Sequence, residues 1–108
     1  MDITNDNLFM VRGDDDSFTV SRPGLPFQEG DTVYFTVKSS PLHTSPILQK
    51  IITDFVDGEA VIYVASQDTK GMDYGYYYYD VRLVTSDNKI HTVMGPAWFV
   101  LKEEITFI

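Results

Sequence analysis

Apolar and polar residues alternate strictly through Thr32–Lys38, so that Val33, Phe35 and Val37 fall on one side of the segment. This period of two is typical of a strand with one face in a protein core. Short apolar or alternating segments recur along the chain between clusters of Gly, Pro, Asn and Asp. By the same criteria, further strands are predicted at 7–12, 17–21, 47–55, 59–65, 75–85, 89–94, 97–101 and 105–107.

Dipeptides that favour tight turns indicate how neighbouring strands connect. Asp57-Gly58 is a strong short-range hairpin signal, and it predicts that 47–55 and 59–65 pair directly. Asp87-Asn88 predicts a second turn, after the long strand that contains most of the tyrosines. Gly95-Pro96 interrupts the apolar pattern, so we expect one strand to end there and another to begin.

Little helix is expected. Segment 67–72 is predicted to form one helical turn, which Asp68 caps by accepting backbone N–H bonds. Together, about seven to nine antiparallel strands joined by closely spaced turns predict an all-β sandwich or barrel. A β-sandwich is the economical solution, with a single domain over 1–108 and a core at about 8–107.

Charge and cysteine content narrow the classes of partner and chemistry. The chain has 108 residues, no cysteine and a formal net charge of −8. Such an acidic surface repels phosphate backbones and anionic lipids, so nucleic acids and membranes are disfavoured as partners. Without cysteine there is no disulfide, thiol nucleophile or thiolate metal site. The acidic start is unlike a signal peptide and no apolar run reaches the ~18 residues of a membrane span, so we expect synthesis in a cytoplasm without signal-peptide secretion.

Side chains that could carry chemistry are few and scattered. His43 falls in a proline-containing loop and His91 on an outward strand position, and neither has a clustered partner. The three carboxylates of residues 14–16 could bind Ca²⁺, but the spaced loop of calcium sites is absent and a solvated turn explains them better. Arg12-Gly13-Asp14 is treated as a chance match to an integrin-binding tripeptide. The sequence therefore predicts no catalytic residue, no cofactor and no metal site.

The most informative segment is residues 73–80, Asp-Tyr-Gly-Tyr-Tyr-Tyr-Tyr-Asp. Asp73, Gly75, Tyr77 and Tyr79 take alternate positions, which resembles the tyrosine corner of immunoglobulin-type sandwiches. The resemblance implies that the Tyr77 hydroxyl bonds to upstream backbone and pins the crossover between two sheets, while Tyr79 takes the place of the disulfide cysteine. An antibody-like domain is excluded, because cysteines are absent and the only Trp lies late in the chain.

The other tyrosines of this segment are expected on the opposite side of the strand. Alternation places Tyr77 and Tyr79 inward, and Tyr76 and Tyr78 outward. Cross-strand pairing on a solvated sheet explains the outward tyrosines, and so does an interface or a sugar-stacking platform. Tyr74, Tyr76 and Tyr78 are therefore a candidate interaction surface.

A wider resemblance comes from the order of the strand and turn patterns. It rests on Arg12-Gly13-Asp14, Ser17-Phe18-Thr19-Val20, Asp31-Thr32-Val33, Phe35-Thr36-Val37-Lys38, Ile47-Leu48-Gln49-Lys50, Gln67-Asp68-Thr69, Gly75-x-Tyr77-x-Tyr79-Asp80-Val81, His91-Thr92-Val93 and Trp98-Phe99-Val100. In order and spacing, these patterns resemble the immunoglobulin-like domain of phage tail and baseplate proteins, best known as the N-terminal domain of baseplate upper proteins. The resemblance implies a virion building block that packs against neighbouring subunits and has no catalytic residues.

Two functions remain open at this point. The first is a structural or assembly module of a phage or prophage tail, whose sheet edges and outer tyrosine face dock other tail or baseplate subunits, including further copies of the chain. The second is a carbohydrate- or cell-surface-binding module in which Tyr74, Tyr76 and Tyr78 stack on sugars. No residue constellation favours an enzyme.

Overall fold

The chain forms two β-sheets and one short helix, and the computed structural model describes residues 1–42 and 45–108. The strands are β1 (Asp2–Thr4), β2 (Asn7–Val11), β3 (Asp16–Val20), β4 (Thr32–Lys38), β5 (Leu48–Ile52), β6 (Ala60–Val64), β7 (Gly75–Val84) and β8 (Ile90–Lys102). Helix α1 (Ser66–Lys70) lies between β6 and β7. The predicted all-β class is confirmed.

The large sheet contains six strands in the order β1-β2-β8-β7-β4-β5, and the small sheet pairs β3 with β6. All neighbours are antiparallel except β2 and β8, which run parallel with Leu8 opposite Phe99. The expectation of purely antiparallel strands is therefore wrong at this pair. Residues 105–107 form no strand, contrary to the prediction, because β2 ends opposite Lys102 and offers them no partner. Strand β1 was not predicted, since its three residues are all exposed and show no apolar alternation.

One aromatic ring connects the two sheets in the core. The ring centroid of Phe35 on β4 lies 5.2 Å from that of Phe18 on β3, 5.7 Å from Tyr79 and 6.0 Å from Phe99. All four residues are buried. Tilted and edge-to-face contacts of this kind add to the stabilisation from apolar burial. The inner faces of both sheets therefore share one continuous hydrophobic core.

The predicted hairpin between β5 and β6 does not form. β5 pairs with β4 in the large sheet, whereas β6 pairs with β3 in the small sheet. Asp57 and Gly58 do form a tight turn with positive φ, but a single bridge between Val56 and Glu59 closes it. β5 and β6 each have one apolar side. Because the two strands lie in opposite sheets, the apolar side of each strand faces the same core.

Strand β8 continues through Gly95-Pro96, which was expected to end a strand. Its register against β7 shifts between Tyr79 and Val81 and again between Val81 and Arg82, as at β-bulges. Gly95 has a φ of +78°, and a Cβ there would lie 3.0 Å from the Tyr79 carbonyl oxygen. Gly95 thus permits the backbones of β7 and β8 to approach closely. The bulges accommodate Gly95-Pro96 within a continuous strand.

Asp68 caps helix α1 by accepting a backbone N–H bond, as predicted, although it does so from the third helical position, and it also links the helix to the large sheet. It accepts a hydrogen bond from the Ala65 amide at 2.7 Å, and its carboxylate lies 2.7 Å from the Nζ atom of Lys50 on β5. Burial alone would raise the pKa of Asp68, but the hydrogen bonds from Lys50 and Ala65 and the Lys50 charge hold it below its usual range. The predicted turn at 67–72 is therefore a helix that begins one residue earlier, with Asp68 in its first turn.

Candidate functional site on the outer face of the large sheet

The outer face of the large sheet carries a row of aromatic side chains. Alternation in β2, β7 and β8 points Phe9, Tyr76, Tyr78 and Trp98 away from the core. Trp98 lies opposite Tyr78, and Val100 lies opposite both Tyr76 and Phe9. We call Phe9, Tyr76, Tyr78 and Trp98 the aromatic strip.

Within the aromatic strip, the Trp98 ring contacts the rings of Tyr76 and Tyr78. The Trp98 centroid lies 4.6 Å from that of Tyr78 and 5.6 Å from that of Tyr76, with the second pair at 90°. Tyr76 and Trp98 are nonetheless 67% and 38% exposed, while Val100 beside them is 7% exposed. The Lys102 ammonium lies 5.9 Å from the Phe9 centroid at the end of the row. The strip is therefore an ordered apolar surface that faces solvent.

The three tyrosines predicted as an interaction surface do not form one cluster. Tyr76 and Tyr78 belong to the aromatic strip, Tyr76 exposed and Tyr78 half-buried. Tyr74 is exposed and precedes β7, and the guanidinium carbon of Arg12 lies 5.3 Å from its ring centroid. Trp98 was not predicted as part of this surface. The turn predicted after β7 could have indicated it, because a hairpin that closes at this turn places Trp98 on the same side of the sheet as Tyr76 and Tyr78.

The predicted corner residues lie where the chain enters the large sheet from α1. The Tyr77 hydroxyl donates a hydrogen bond to the Asp73 carbonyl at 2.6 Å. Gly75 has a φ of +144°, a backbone angle that favours glycine. Tyr77 is half-buried and Asp73 is exposed, so this bond lies near the surface. Burial and the Asp73 charge raise the pKa of Tyr77, and the hydrogen bond to Asp73 acts against them.

Tyr79 is the corner residue that reaches deepest, with 3% of its surface exposed. Its ring packs on Phe35, and its hydroxyl donates a hydrogen bond to the Asp6 carbonyl in the turn between β1 and β2. Burial, and then the charges of Asp6 and Asp80, raise the pKa of Tyr79. Tyr79 thus fastens the β1–β2 hairpin to the core.

A polar groove lies beside the aromatic strip on the same outer face. Its volume is about 390 Å³, and its walls include Thr36, Lys38, Gln49, Tyr78, Asp80 and Arg82, with prolines at the rim. Strand register assembles it, since Thr36 lies opposite both Asp80 and Gln49, and Lys38 lies opposite Tyr78. Tyr78 is therefore common to the groove and the strip.

Asp80 is half-buried in this groove. The pKa of Asp80 is raised, because burial outweighs the opposing effect of the positive charges of Arg82 and Lys38. Within residues 1–42 and 45–108, neither cation comes within 4.0 Å of the carboxylate, and no hydrogen bond to it is formed. By contrast, the Gln49 side-chain amide donates to the Thr36 hydroxyl at 3.0 Å. The charged groups of the groove therefore converge without satisfying one another.

The outer face also differs in charge from the rest of the chain. Among strand residues turned to this face, the acids are Asp2 and Asp80 and the bases are Lys38, Arg82 and Lys102, a net charge of +1. Since the whole chain carries −8, the remainder carries −9. The outer face thus carries few of the acidic side chains of this acidic protein, and its aromatic strip lies beside three cations.

The acidic turn and the tripeptide make structural contacts. Asp15 accepts a hydrogen bond from the Ser66 amide at 2.7 Å. Asp16 lies 2.7 Å from the Met1 ammonium. Arg12 lies 2.9 Å from Glu104, and the hydrogen bond from Arg12 lowers the pKa of Glu104. Two of the three residues 14–16, and the arginine of the tripeptide, therefore hold neighbouring segments in place.

Other candidate chemistry finds little geometric support. His91 is exposed on β8, and His43 lies outside the described residues. In the part of the chain that the structure describes, no three His, Asp or Glu side chains are grouped to hold a metal ion. The helix there is too short and too polar to cross a membrane.

No protein-family model matches the sequence, and no similar protein is found among curated proteins or solved structures.

Proposed function

We propose that the chain is an immunoglobulin-like β-sandwich that serves as a non-enzymatic structural or assembly module of a phage or prophage tail, associated with the baseplate and located in the virion. The Tyr77 bond at the entry to β7 and the crossover between sheets at α1 support the immunoglobulin-like assignment. The aromatic strip carries the functional part of the proposal, because it offers other subunits an ordered apolar surface on rigid strands.

The aromatic strip suits docking for two physical reasons. Trp98 already contacts Tyr76 and Tyr78, so these three side chains lose little freedom when a partner covers them, and aromatic anchors dominate interface energetics. The outer face carries +1 where the remainder of the chain carries −9. An acidic tail subunit, or the acidic side of another copy, is therefore attracted to this face and repelled elsewhere. Nucleic acid and membrane are not among the proposed partners.

Incorporation into tail particles tests this proposal. Particles purified from the phage or prophage that encodes the chain should contain it, as detected by mass spectrometry. Trp98→Ala and Tyr76→Ala should remove it from the particles while the isolated chain stays folded. Tyr63→Ala is the matched control, because Tyr63 is 69% exposed on β6 in the other sheet. Absence of the wild-type chain from particles, or normal incorporation of both strip variants, contradicts the proposal.

The polar groove favours a second candidate function, a carbohydrate- or cell-surface-binding module. In this alternative, Tyr76 and Tyr78 stack on sugar rings and the groove supplies hydrogen bonds. Tyr74 would contribute less than predicted from the sequence, because its ring lies against Arg12. Glycan-array binding that is lost in Tyr76→Ala and Tyr78→Ala supports this function, and signals that are unchanged in both variants contradict it.

A further inference from the structure

The polar groove holds three charged side chains on neighbouring strands, and no ion pair forms among them within the described residues. Lys38 is supplied by β4, and Asp80 and Arg82 by β7, and these two strands are hydrogen-bonded neighbours. Two lining residues of the groove, Gln49 and Thr36, are joined by a side-chain hydrogen bond. Among residues 1–42 and 45–108, no side chain donates a hydrogen bond to the Asp80 carboxylate, so its acceptor oxygens are available to a ligand. A concave site where a few polar groups converge beside apolar walls has the form of a small-ligand site.

The charges in the groove do not single out a simple ion. Lys38 and Arg82 repel cations, and the ionised Asp80 offsets part of the attraction that these two residues exert on anions. The donors are Lys38, Arg82 and Gln49, and the carboxylate of Asp80 only accepts. A ligand that carries several hydroxyl groups matches this set, because each hydroxyl both donates and accepts.

The walls of the groove also fit a ligand with apolar faces. The Tyr78 ring forms one side, and its contact with Trp98 at 4.6 Å keeps it in place. Pro41, Pro46 and Pro96 contribute further apolar surface. The volume of about 390 Å³ falls in the range of roughly 300–1,000 Å³ that is usual for small-ligand sites. Rings that carry hydroxyls at their edges and C–H groups on their faces are sugars.

We propose that the polar groove binds one uncharged hexose unit of a glycan. Asp80 accepts hydrogen bonds from neighbouring hydroxyls, Lys38 and Arg82 donate to ring oxygens and hydroxyls, and Tyr78 packs against the C–H face. This inference rests on the second candidate function. In this proposal the polar groove recognises the sugar, and the other members of the aromatic strip lie beside the binding site.

Titration of the full chain, followed by backbone amide NMR, tests this assignment. The probes are glucose, galactose, N-acetylglucosamine and maltotriose at millimolar concentration, with glucuronate as an anionic counterpart of glucose. At least one neutral probe should shift the signals of Thr36, Gln49, Asp80 and Arg82. Asp80→Asn keeps the size of the side chain and should weaken binding by about tenfold or more, since a charge-assisted hydrogen bond is lost. Lys102→Gln, at the far end of the face, should bind as the wild type does.

Each alternative result has a distinct meaning. Shifts confined to Phe9, Tyr76 and Trp98 overturn the groove assignment but leave a sugar-binding function standing. No shift with any probe contradicts both. Tighter binding of glucuronate than of glucose overturns the argument from charge, and unchanged binding by Asp80→Asn removes the carboxylate from recognition.

Discussion

The hydroxyl of Tyr79 donates a hydrogen bond to the backbone carbonyl of Asp6, 73 residues earlier in the chain. The bond connects the turn between β1 and β2 to a ring that packs on Phe35 in the core. Tyr77 makes a bond of the same chemical kind, but to Asp73 only four residues away. One tyrosine therefore holds a distant hairpin, and the other closes a local corner.

We expect the two tyrosines to differ in their effect on stability. Tyr79→Phe should lower the free energy of unfolding by about 1–3 kcal/mol, because the partly buried Asp6 carbonyl loses its donor while the ring is kept. Tyr77→Phe should lower it by less than about 1 kcal/mol, since water can replace the hydroxyl at the exposed Asp73. Urea unfolding of both variants measures the difference. A larger loss in Tyr77→Phe would show that the corner bond matters more to stability.

Local alternation was sufficient to predict most strands and the orientation of β7. Val81 and Leu83 are buried and Arg82 is exposed, as a period of two requires. Strand pairing was not predictable in the same way, because it depends on contacts between distant segments. The Asp57-Gly58 turn is real, yet a turn does not specify whether its two arms stay in one sheet. The parallel pairing of β2 with β8 likewise leaves no local signal.

In the candidate site, too, features that depend on one strand were predictable, and features that depend on pairing between strands were not. The outward direction of Tyr76 and Tyr78 follows from alternation within one strand. The match of Tyr78 with Trp98 depends on two register shifts in β8, which only the packed backbone around Gly95 determines. The polar groove was not predicted either, because Lys38 and Asp80 become neighbours through the register of β4 against β7.

The bulge at Gly95 should be intolerant of a side chain. Gly95→Ala would place a Cβ 3.0 Å from the Tyr79 carbonyl oxygen at a φ of +78°, so we expect the free energy of unfolding to fall by about 1–3 kcal/mol. Gly71→Ala is the matched control, because its φ is −87° and no atom lies within 4 Å of the added Cβ. That control should be neutral or stabilising in chemical denaturation. Equal effects of the two substitutions would show that the bulge can relax.

The ion pair between Lys50 and Asp68 should contribute stability that depends on pH. The pKa of Asp68 is lowered in the folded chain, so its contribution is present above the pKa of the unfolded state, about 3.9. The contribution disappears as pH falls through the folded-state pKa. Asp68→Asn should therefore destabilise the protein at neutral pH by at most about 1 kcal/mol, because solvent screens the pair. Thermal unfolding at several pH values should show the two proteins converging in acid, and a constant gap would exclude the charge as the cause.

Asp80 should have the opposite effect on stability. Burial raises the pKa of Asp80 in the folded chain, so its ionised form disfavours folding above the unfolded-state pKa of about 3.9, and this penalty disappears at lower pH. Asp80→Asn should therefore raise the melting temperature at neutral pH, by no more than corresponds to about 1 kcal/mol for a half-exposed charge, and should match the wild type in acid. The exposed Asp54→Asn serves as the control.

A lower melting temperature in Asp80→Asn at neutral pH would mean that the carboxylate is paired in solution, and the groove would lose its unpaired acceptor. If the substitution stabilises the fold and also weakens sugar binding, the two measurements separate the roles of Asp80. That pair of results would show that the Asp80 carboxylate serves binding at a cost in stability, as is common for residues of functional sites.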